Sequence, residues 1–350
     1  MKIGIITFHW PENYGAVLQA YALQSYFDDK GHDVKIINYK PLNQSLYYLS
    51  ILLHPTQLKH IGGIYRKKRK NCLLNRFRKK YLHLTKRVYS CDQLMSTRLD
   101  FDILVSGSDQ VLNPSFTSWG ERKPTPTYYL PFGGGKKVGY ALSFGCTEYP
   151  NDAKQYAERW IQNFDSIGVR ENTGLEVLRQ LGYEKEQRVV PDPTILYGDH
   201  LFDRIAINKT DQHYLCVYVL RHSIKIDAED VSYMDEDHMP LDMESWLGQI
   251  IHSKGLVTNS YHGMIMAILA HVPFVALLET DRGTGMNDRF CTLLGRLNLM
   301  DRILPIGTGS SEILTVLSHH IDWGMTDKCV EEYRQVGKDF LDITISEQKA

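Results

Sequence analysis

Short, unbroken apolar runs alternate with helical patterns along this chain, and few architectures accept that alternation. Residues 2–8 form a continuous apolar run, as in a strand buried on both faces of a parallel sheet. Residues 17–27 follow as a helix carrying Val17, Leu18, Tyr21, Leu23 and Phe27, ended by Lys30 and Gly31. Residues 34–39 return to a strand that Pro41 stops. The pattern recurs as strand 99–105, strand 137–142, helix 152–164, strand 166–170 and helix 174–181. It resumes as strand 213–220, helix 244–253, strand 255–257, helix 264–270, strand 273–278 and helix 289–297. This succession predicts doubly wound α/β units. Residues 42–100 read as more helical and more polar, 113–135 as a loop, and 227–242 as an irregular acidic stretch. Pro191 and Pro193 stiffen a boundary that divides the chain into residues 1–188, a smaller unit 189–310 and a helical tail 311–350.

The chain has 350 residues, enough for two domains with a sizeable core. Its 40 Lys and Arg balance 41 Asp and Glu, which argues against a protein built to coat nucleic acid. Six cysteines, at 72, 91, 146, 216, 291 and 329, show no Cys-x-x-Cys pair, so neither a disulfide framework nor a zinc ribbon is expected. The first apolar run is too short for a signal peptide, and no stretch approaches the ~18 apolar residues of a membrane span. A cytoplasmic setting is the simplest expectation.

Polar residues gather where strands hand over to helices. Thr258-Asn259-Ser260-Tyr261-His262-Gly263 stands between an apolar strand and a buried helix. In open α/β sheets that crevice binds ligands, and a helix N-terminus offers free N–H groups to an anion. The alternative is a helix-capping turn with an incidental histidine. Asn13-Tyr14-Gly15-Ala16 has the same position after the first strand, with Asn13 as a suitable cap and Gly15 allowing close approach. It lacks the Gly-x-Gly-x-x-Gly spacing of a dinucleotide site. Ser108, Asp109 and Gln110 follow a third strand, where Asp109 serves either as a base or sugar ligand or as a cap. Arg170 ends a further strand; its planar guanidinium suits a carboxylate or phosphate, or a structural pair with Glu171 or another acid. Arg289 offers a second anion contact.

Arg66-Lys67-Lys68-Arg69-Lys70, with Arg76, Arg78, Lys79 and Lys80, forms the strong basic cluster. Leu73, Leu74, Phe77 and Tyr81 interleave at near-helical spacing. Such a helix either lies on an anionic membrane or docks by its apolar stripe with its charges solvated. No metal site is indicated, since His252, His262 and His271 are spread over separate elements.

Together these stretches resemble the polysaccharide pyruvyl transferase family. The match runs through residues 13–24, Gly107-Ser108-Asp109-Gln110-Val111-Leu112-Asn113-Pro114, Ser143-Phe144-Gly145, Val169-Arg170-Glu171, Asp192-Pro193-Thr194 and residues 258–263, then Arg289 with Leu293, Leu294 and Leu297. The resemblance implies two Rossmann-like domains facing each other across a cleft, as in B-type glycosyltransferases. Residues 1–188 would take the acceptor side and 189–310 the donor side. It implies phosphoenolpyruvate as donor, no further cofactor, and a sugar acceptor, here a lipid-linked precursor of a surface or capsular polysaccharide. His262 and Arg170 would serve donor binding and catalysis, with Asp109 as a base. Asn13, Tyr14, Gly15, Ser108, Gln110, Asn259, Ser260, Gly263 and Arg289 would hold substrate. Ser260 stands where some relatives carry an arginine, so that donor contact is either absent or supplied elsewhere, as by Arg289. The stretch between His213 and Trp246 is short for the family. Two rival readings are a sugar-nucleotide-dependent glycosyltransferase of the same architecture and a non-enzymatic interaction protein using the basic helix.

Overall fold

The computed structural model describes residues 1–42, 61–117, 125–207, 214–234, 241–279 and 285–346. Among these, two parallel sheets carry the architecture. The first holds β1 (Lys2–Ile6), β2 (Asp33–Ile36), β3 (Ile103–Ser106), β4 (Lys136–Leu142), β5 (Ser166–Val169) and β6 (Glu186–Val189), in the order β2-β1-β3-β4-β5-β6. The second holds β7 (Leu215–Tyr218), β8 (Val231–Tyr233), β9 (Gly255–Thr258), β10 (Phe274–Leu278) and β11 (Ile303–Pro305), in the order β11-β10-β9-β7-β8. The chain is thus a two-domain α/β protein of the doubly wound kind.

Each sheet has a switch point. β1 lies between β2 and β3, with Ile3 opposite Ile103; β7 lies between β8 and β9, with Leu215 opposite Gly255. The connections leave these strand pairs in opposite directions, so the loops at their carboxyl ends part and leave a crevice. The central strands are apolar throughout because helices cover both faces: Ile3, Ile5, Leu104, Ile167, Leu256 and Val275 are buried.

The first helix, α1 (Tyr14–Asp29), begins three residues before the expected position. The Asn13 side chain accepts from Ala16 N at 3.2 Å and caps it there. In chain order follow α2 (Ile61–Tyr81), α3 (Asn151–Ile161), α4 (Asn172–Gln180), α5 (Pro193–Tyr197), α6 (Met243–Ile251), α7 (Tyr261–Leu269), α8 (Gly285–Arg296), α9 (Ser310–Ser318) and α10 (Trp323–Ser346). On α2 the apolar stripe docks inward. Leu74 and Phe77 are buried, and Phe77 meets Tyr21 of α1 edge-on at 5.7 Å. Lys67, Lys68, Arg69, Arg76, Lys79 and Lys80 remain exposed.

Three strands escape the sequence pattern: β6, β8 and β11. All are sheet edges. An edge strand is covered on fewer sides and needs no apolar run, so Glu186-Gln187-Arg188 reads as a loop. The stretch 227–242 is therefore not irregular throughout, since β8 lies within it. Likewise 113–135 contains a short helix, Pro114–Thr117, and a 3₁₀ turn, Pro126–Tyr129. Residues 43–60, 118–124, 208–213 and 235–240 of the stretches read above lie outside the described residues.

The two sheet units meet along α1. Tyr14 stacks on Trp246 of α6, with ring centroids 5.1 Å apart and planes 3° apart. Its hydroxyl donates to Leu241 O at 2.7 Å and accepts from Leu241 N at 3.0 Å. Helix α10 then returns from the second unit to the first. Arg296 sits over Tyr333 at 4.5 Å, Arg334 Nε donates to Ile195 O at 3.0 Å, and Phe340 packs by Tyr140 at 6.3 Å. No helix among the described residues is long and apolar enough to cross a membrane. Tyr14→Phe keeps the stack but removes both hydroxyl bonds, so urea unfolding should show a loss of about 1–3 kcal/mol; an unchanged midpoint would remove that hydroxyl from the seam.

Candidate active site

A cavity of about 350 Å³ opens between the carboxyl ends of the two sheets. Loops from both switch points line it. From the first unit come Trp10 and Asn13 after β1, and Asp109 and Gln110 after β3. From the second come Leu220 and Arg221 after β7, Asn259 after β9, and Glu279 after β10. Helix α8 closes the wall with Asn287, Arg289 and Phe290.

Behind Asp109 lies a buried ionic network centred on Arg170, whose side chain has no exposed surface. Its Nη1 donates to Asp192 Oδ2 at 3.2 Å, Nη2 lies 3.6 Å from Asp109 Oδ1, and Nε lies 3.6 Å from Glu171 Oε2. The guanidinium also stands 5.0 Å from the centre of the Tyr261 ring. Burial opposes its charge, yet Asp109, Glu171 and Asp192 together hold its pKa above the usual value. Burial lifts the Glu171 carboxyl in spite of Arg170 beside it.

Asp192, buried at the N-cap of α5, ties this network to the second unit. Its Oδ1 accepts from Thr194 N at 3.0 Å and Thr194 Oγ1 at 2.7 Å, and Oδ2 accepts from Ser108 Oγ at 3.2 Å. His262 Nε2 lies 3.5 Å from Oδ2. Burial favours the protonated acid, but His262 and Arg170 outweigh it and hold the Asp192 carboxyl well below the usual carboxylate range. Gln19 of α1 completes the scaffold: Ser108 N donates to its Oε1 at 3.2 Å, and its Nε2 donates to Thr7 Oγ1 at 2.9 Å. Asp109 itself sits at a φ of 75°, a conformation that short polar side chains tolerate better than most.

Arg289 is the contrasting cation. It is half-buried, lines the cavity, and lies 5.4 Å from the Tyr261 ring and 5.5 Å from the Phe290 ring. Its buried Nε has no hydrogen-bond partner among the described residues. Burial first, then the neighbouring Arg170, push its pKa down to about 10. A guanidinium so depressed would be relieved by an incoming anion.

The structure sorts the residues expected to form a site. Asn13, Asp109, Gln110, Asn259 and Arg289 line the cavity. Arg170, Ser108 and His262 lie in the network behind it, so Arg170 takes the acid-paired arrangement rather than a place on the cavity wall. Tyr14 is buried in the seam. Gly15 packs on the His262 ring, where a Cβ would stand 2.1 Å from Nδ1. Ser260 caps α7, accepting from Gly263 N at 3.2 Å, so both serve the turn. Asn259 brackets the Leu220 backbone, accepting from N at 2.7 Å and donating to O at 2.9 Å. Asp192, Glu171 and Tyr261 join the site without a local signal in the sequence, save that Asp192-Pro193-Thr194, a cap followed by proline, marks a helix start at the boundary. Among the described residues no group of three or more His, Cys, Asp and Glu side chains could hold a metal ion.

Fold and site define a two-domain α/β protein with an anion-ready cavity between its sheets. Residues 13–281 match the model of the polysaccharide pyruvyl transferases. The chain belongs to that family and is a transferase. No curated protein matches it. Among solved structures it is similar to a UDP-GlcNAc 2-epimerase from Methanocaldococcus jannaschii, at 9% identity over 97% of this chain and 99% of that one, TM-score 0.45. It is also similar to the spinosyn forosaminyltransferase SpnP (9%, 97% and 95%, 0.44) and to the glycosyltransferase of kitacinnamycin (10%, 98% and 98%, 0.43). At these levels the likenesses carry no inference about substrate.

Asp192→Asn leaves Arg170 short of a buried partner, and urea unfolding at pH 7 should show a loss on the order of 3–5 kcal/mol. The sign of the pH dependence follows from the lowered carboxyl pKa. The stabilisation is complete above the unfolded value, about pH 4, and is lost as pH falls through the folded value. The gap between native protein and variant should therefore narrow in acid; a gap independent of pH would contradict the pairing.

Proposed function

We propose that this transferase uses phosphoenolpyruvate to form a pyruvate ketal on a sugar of a surface or capsular polysaccharide precursor carried on a lipid. The observation that carries this reading is Arg289, a guanidinium of depressed pKa whose Nε has no hydrogen-bond partner among the described residues, on the wall of a cavity in a member of this family. Phosphoenolpyruvate is small and highly anionic, which matches that charge. In the reaction the C2–O bond to phosphate breaks and two C–O bonds form from the sugar. One hydroxyl proton goes to the methylene carbon, making the methyl group, and the other leaves on phosphate.

Asp109, on the wall with Arg170 behind it, accepts a hydroxyl proton. His262 supplies a proton, with Asp192 Oδ2 3.5 Å from its Nε2 to orient the ring. Gly15 packs against its ring, and the His262 side chain keeps 8% exposure. Arg170 positions Asp109 and Asp192 rather than touching the donor.

Phosphoenolpyruvate should raise the melting temperature of the native protein. Arg289→Gln should weaken its binding by about tenfold or more, the loss of a charge-assisted bond worth ~1–3 kcal/mol. His262→Gln should lower turnover by roughly 10²–10⁴-fold and change donor affinity much less. If a sugar nucleotide stabilises the protein and supports transfer while phosphoenolpyruvate does neither, the proposal fails.

The exposed cations of α2 bring the enzyme to the cytoplasmic face of an anionic membrane. Because Leu74 and Phe77 are buried in the fold, that contact is electrostatic rather than inserted. Sedimentation with anionic liposomes should be clear at low salt and lost when screening shortens the Debye length below about 8 Å. Replacement of Lys67, Lys68 and Arg69 by Gln should abolish it, and indifference of the native protein to such liposomes leaves the helix as a solvated face.

A further inference from the structure

The first unit's side of the cavity differs in character from the Arg289 side. Phe8, Trp10 and Phe116 give it an aromatic face, extended by the apolar ring of Pro11, and Asn13, Asp109 and Gln110 give it polar groups. Trp10 and Pro11 belong to the turn between β1 and α1, and one buried side chain fixes that turn. Arg78 of α2 donates from Nε to His9 O at 2.6 Å, and from Nη2 to Trp10 O at 3.1 Å and Pro11 O at 2.5 Å. Its Nη1 is braced by Asn71 Oδ1 at 3.1 Å and Asn75 Oδ1 at 2.8 Å. Three successive carbonyls are thus held in one guanidinium fork.

Other contacts set the indole itself. Phe8 meets Trp10 edge-on, with centroids 6.2 Å apart and planes at 74°. Lys40 Nζ stands over one face of the indole, 5.6 Å from its centre, so the other face is the one a ligand would use. His9, between them in sequence, is buried, with Nδ1 3.2 Å from Thr7 O and Nε2 3.2 Å from Asn38 Oδ1. Such a wall is ordered before any ligand arrives, which lowers the entropy cost of binding.

A pyranose has the complementary surface. Its C–H groups make an apolar face that rests on an aromatic ring, and its hydroxyls project from the rim toward hydrogen-bonding groups. An indole plane next to a carboxylate and two amides offers both at once. We propose that Trp10, held in place by Arg78, is the stacking platform of the acceptor subsite and sets a pyranose with two hydroxyls toward Asp109. The proposal rests on the transferase reading for the position of the donor at Arg289, but binding at Trp10 is separable from it. Trp10 selects the shape of the sugar, and Arg78 acts through the turn as a positioning residue.

The test is saturation-transfer NMR on the full chain with methyl glycosides of glucose, galactose, mannose, N-acetylglucosamine and N-acetylmannosamine. At least one glycoside should show transfer to its ring C–H protons. Trp10→Ala should weaken that glycoside about tenfold, equivalent to ~1.4 kcal/mol, and Trp10→Phe should restore most of it. The melting-temperature rise given by phosphoenolpyruvate should be the same in all three proteins. The proposal is overturned if no glycoside shows transfer, if Trp10→Ala binds as the native protein does, or if Trp10→Ala loses the phosphoenolpyruvate response as well. If the native protein ignores phosphoenolpyruvate while the glycoside still depends on Trp10, the acceptor platform stands and the donor reading falls.

Discussion

A guanidinium with no exposed surface, that of Arg170, sits among Asp109, Glu171 and Asp192, and the site is organised around it. A buried charge is tolerable only when its partners are close and themselves held. That requirement fixes three separate segments. Asp109 must stand at the end of β3, Glu171 at the end of β5, and Asp192 at the cap of α5. Asp192 in turn fixes the neighbourhood of His262, which belongs to the other sheet unit. One ionic cluster therefore couples the backbone of the first unit to the ring that the second unit brings to the cleft.

The same geometry explains why the cavity is unevenly charged. Arg170 is neutralised from behind, so its charge does not reach the cavity uncompensated. Arg289 shares the Tyr261 ring with Arg170, and its burial and the repulsion from Arg170 outweigh the pull of Asp109 and Glu171, so its pKa is lowered. The aromatic ring accommodates both cations through its negative faces. An anion is thus favoured on the α8 side and a neutral, hydroxylated ligand on the Trp10 side. Two switch points, one per sheet, supply the loops that make these two walls.

Legibility of the site followed position on the strands. Asp109, Gln110, Asn13 and Asn259 were readable because polar residues directly after buried strands sit at a sheet's carboxyl edge, and all four line the cavity. Arg170 was readable by the same rule, yet its guanidinium turns inward. Nothing local in Val169-Arg170-Glu171 reveals that Asp192, twenty-two residues on, will sit 3.2 Å away. Tyr14 misled for a similar reason: it follows a capping residue like a ligand-facing one, but a tryptophan 232 residues later claims its ring. Arg78 was hidden inside a run of cations, and only the packing of α2 on α1 separates it from its solvated neighbours.

The sequence by itself determined the alternation of strands and helices and the central strands of both sheets. It also determined the family and the turns at which polar groups gather. These are local matters, since apolar runs, caps and glycines act over a few residues. The edge strands β6, β8 and β11 were decided by tertiary pairing, because an edge needs a neighbour and no apolar code. Only the packed structure decided which cation would be neutralised and which left facing the cavity. Charge compensation depends on distances between segments far apart in the chain, and folding alone sets those distances.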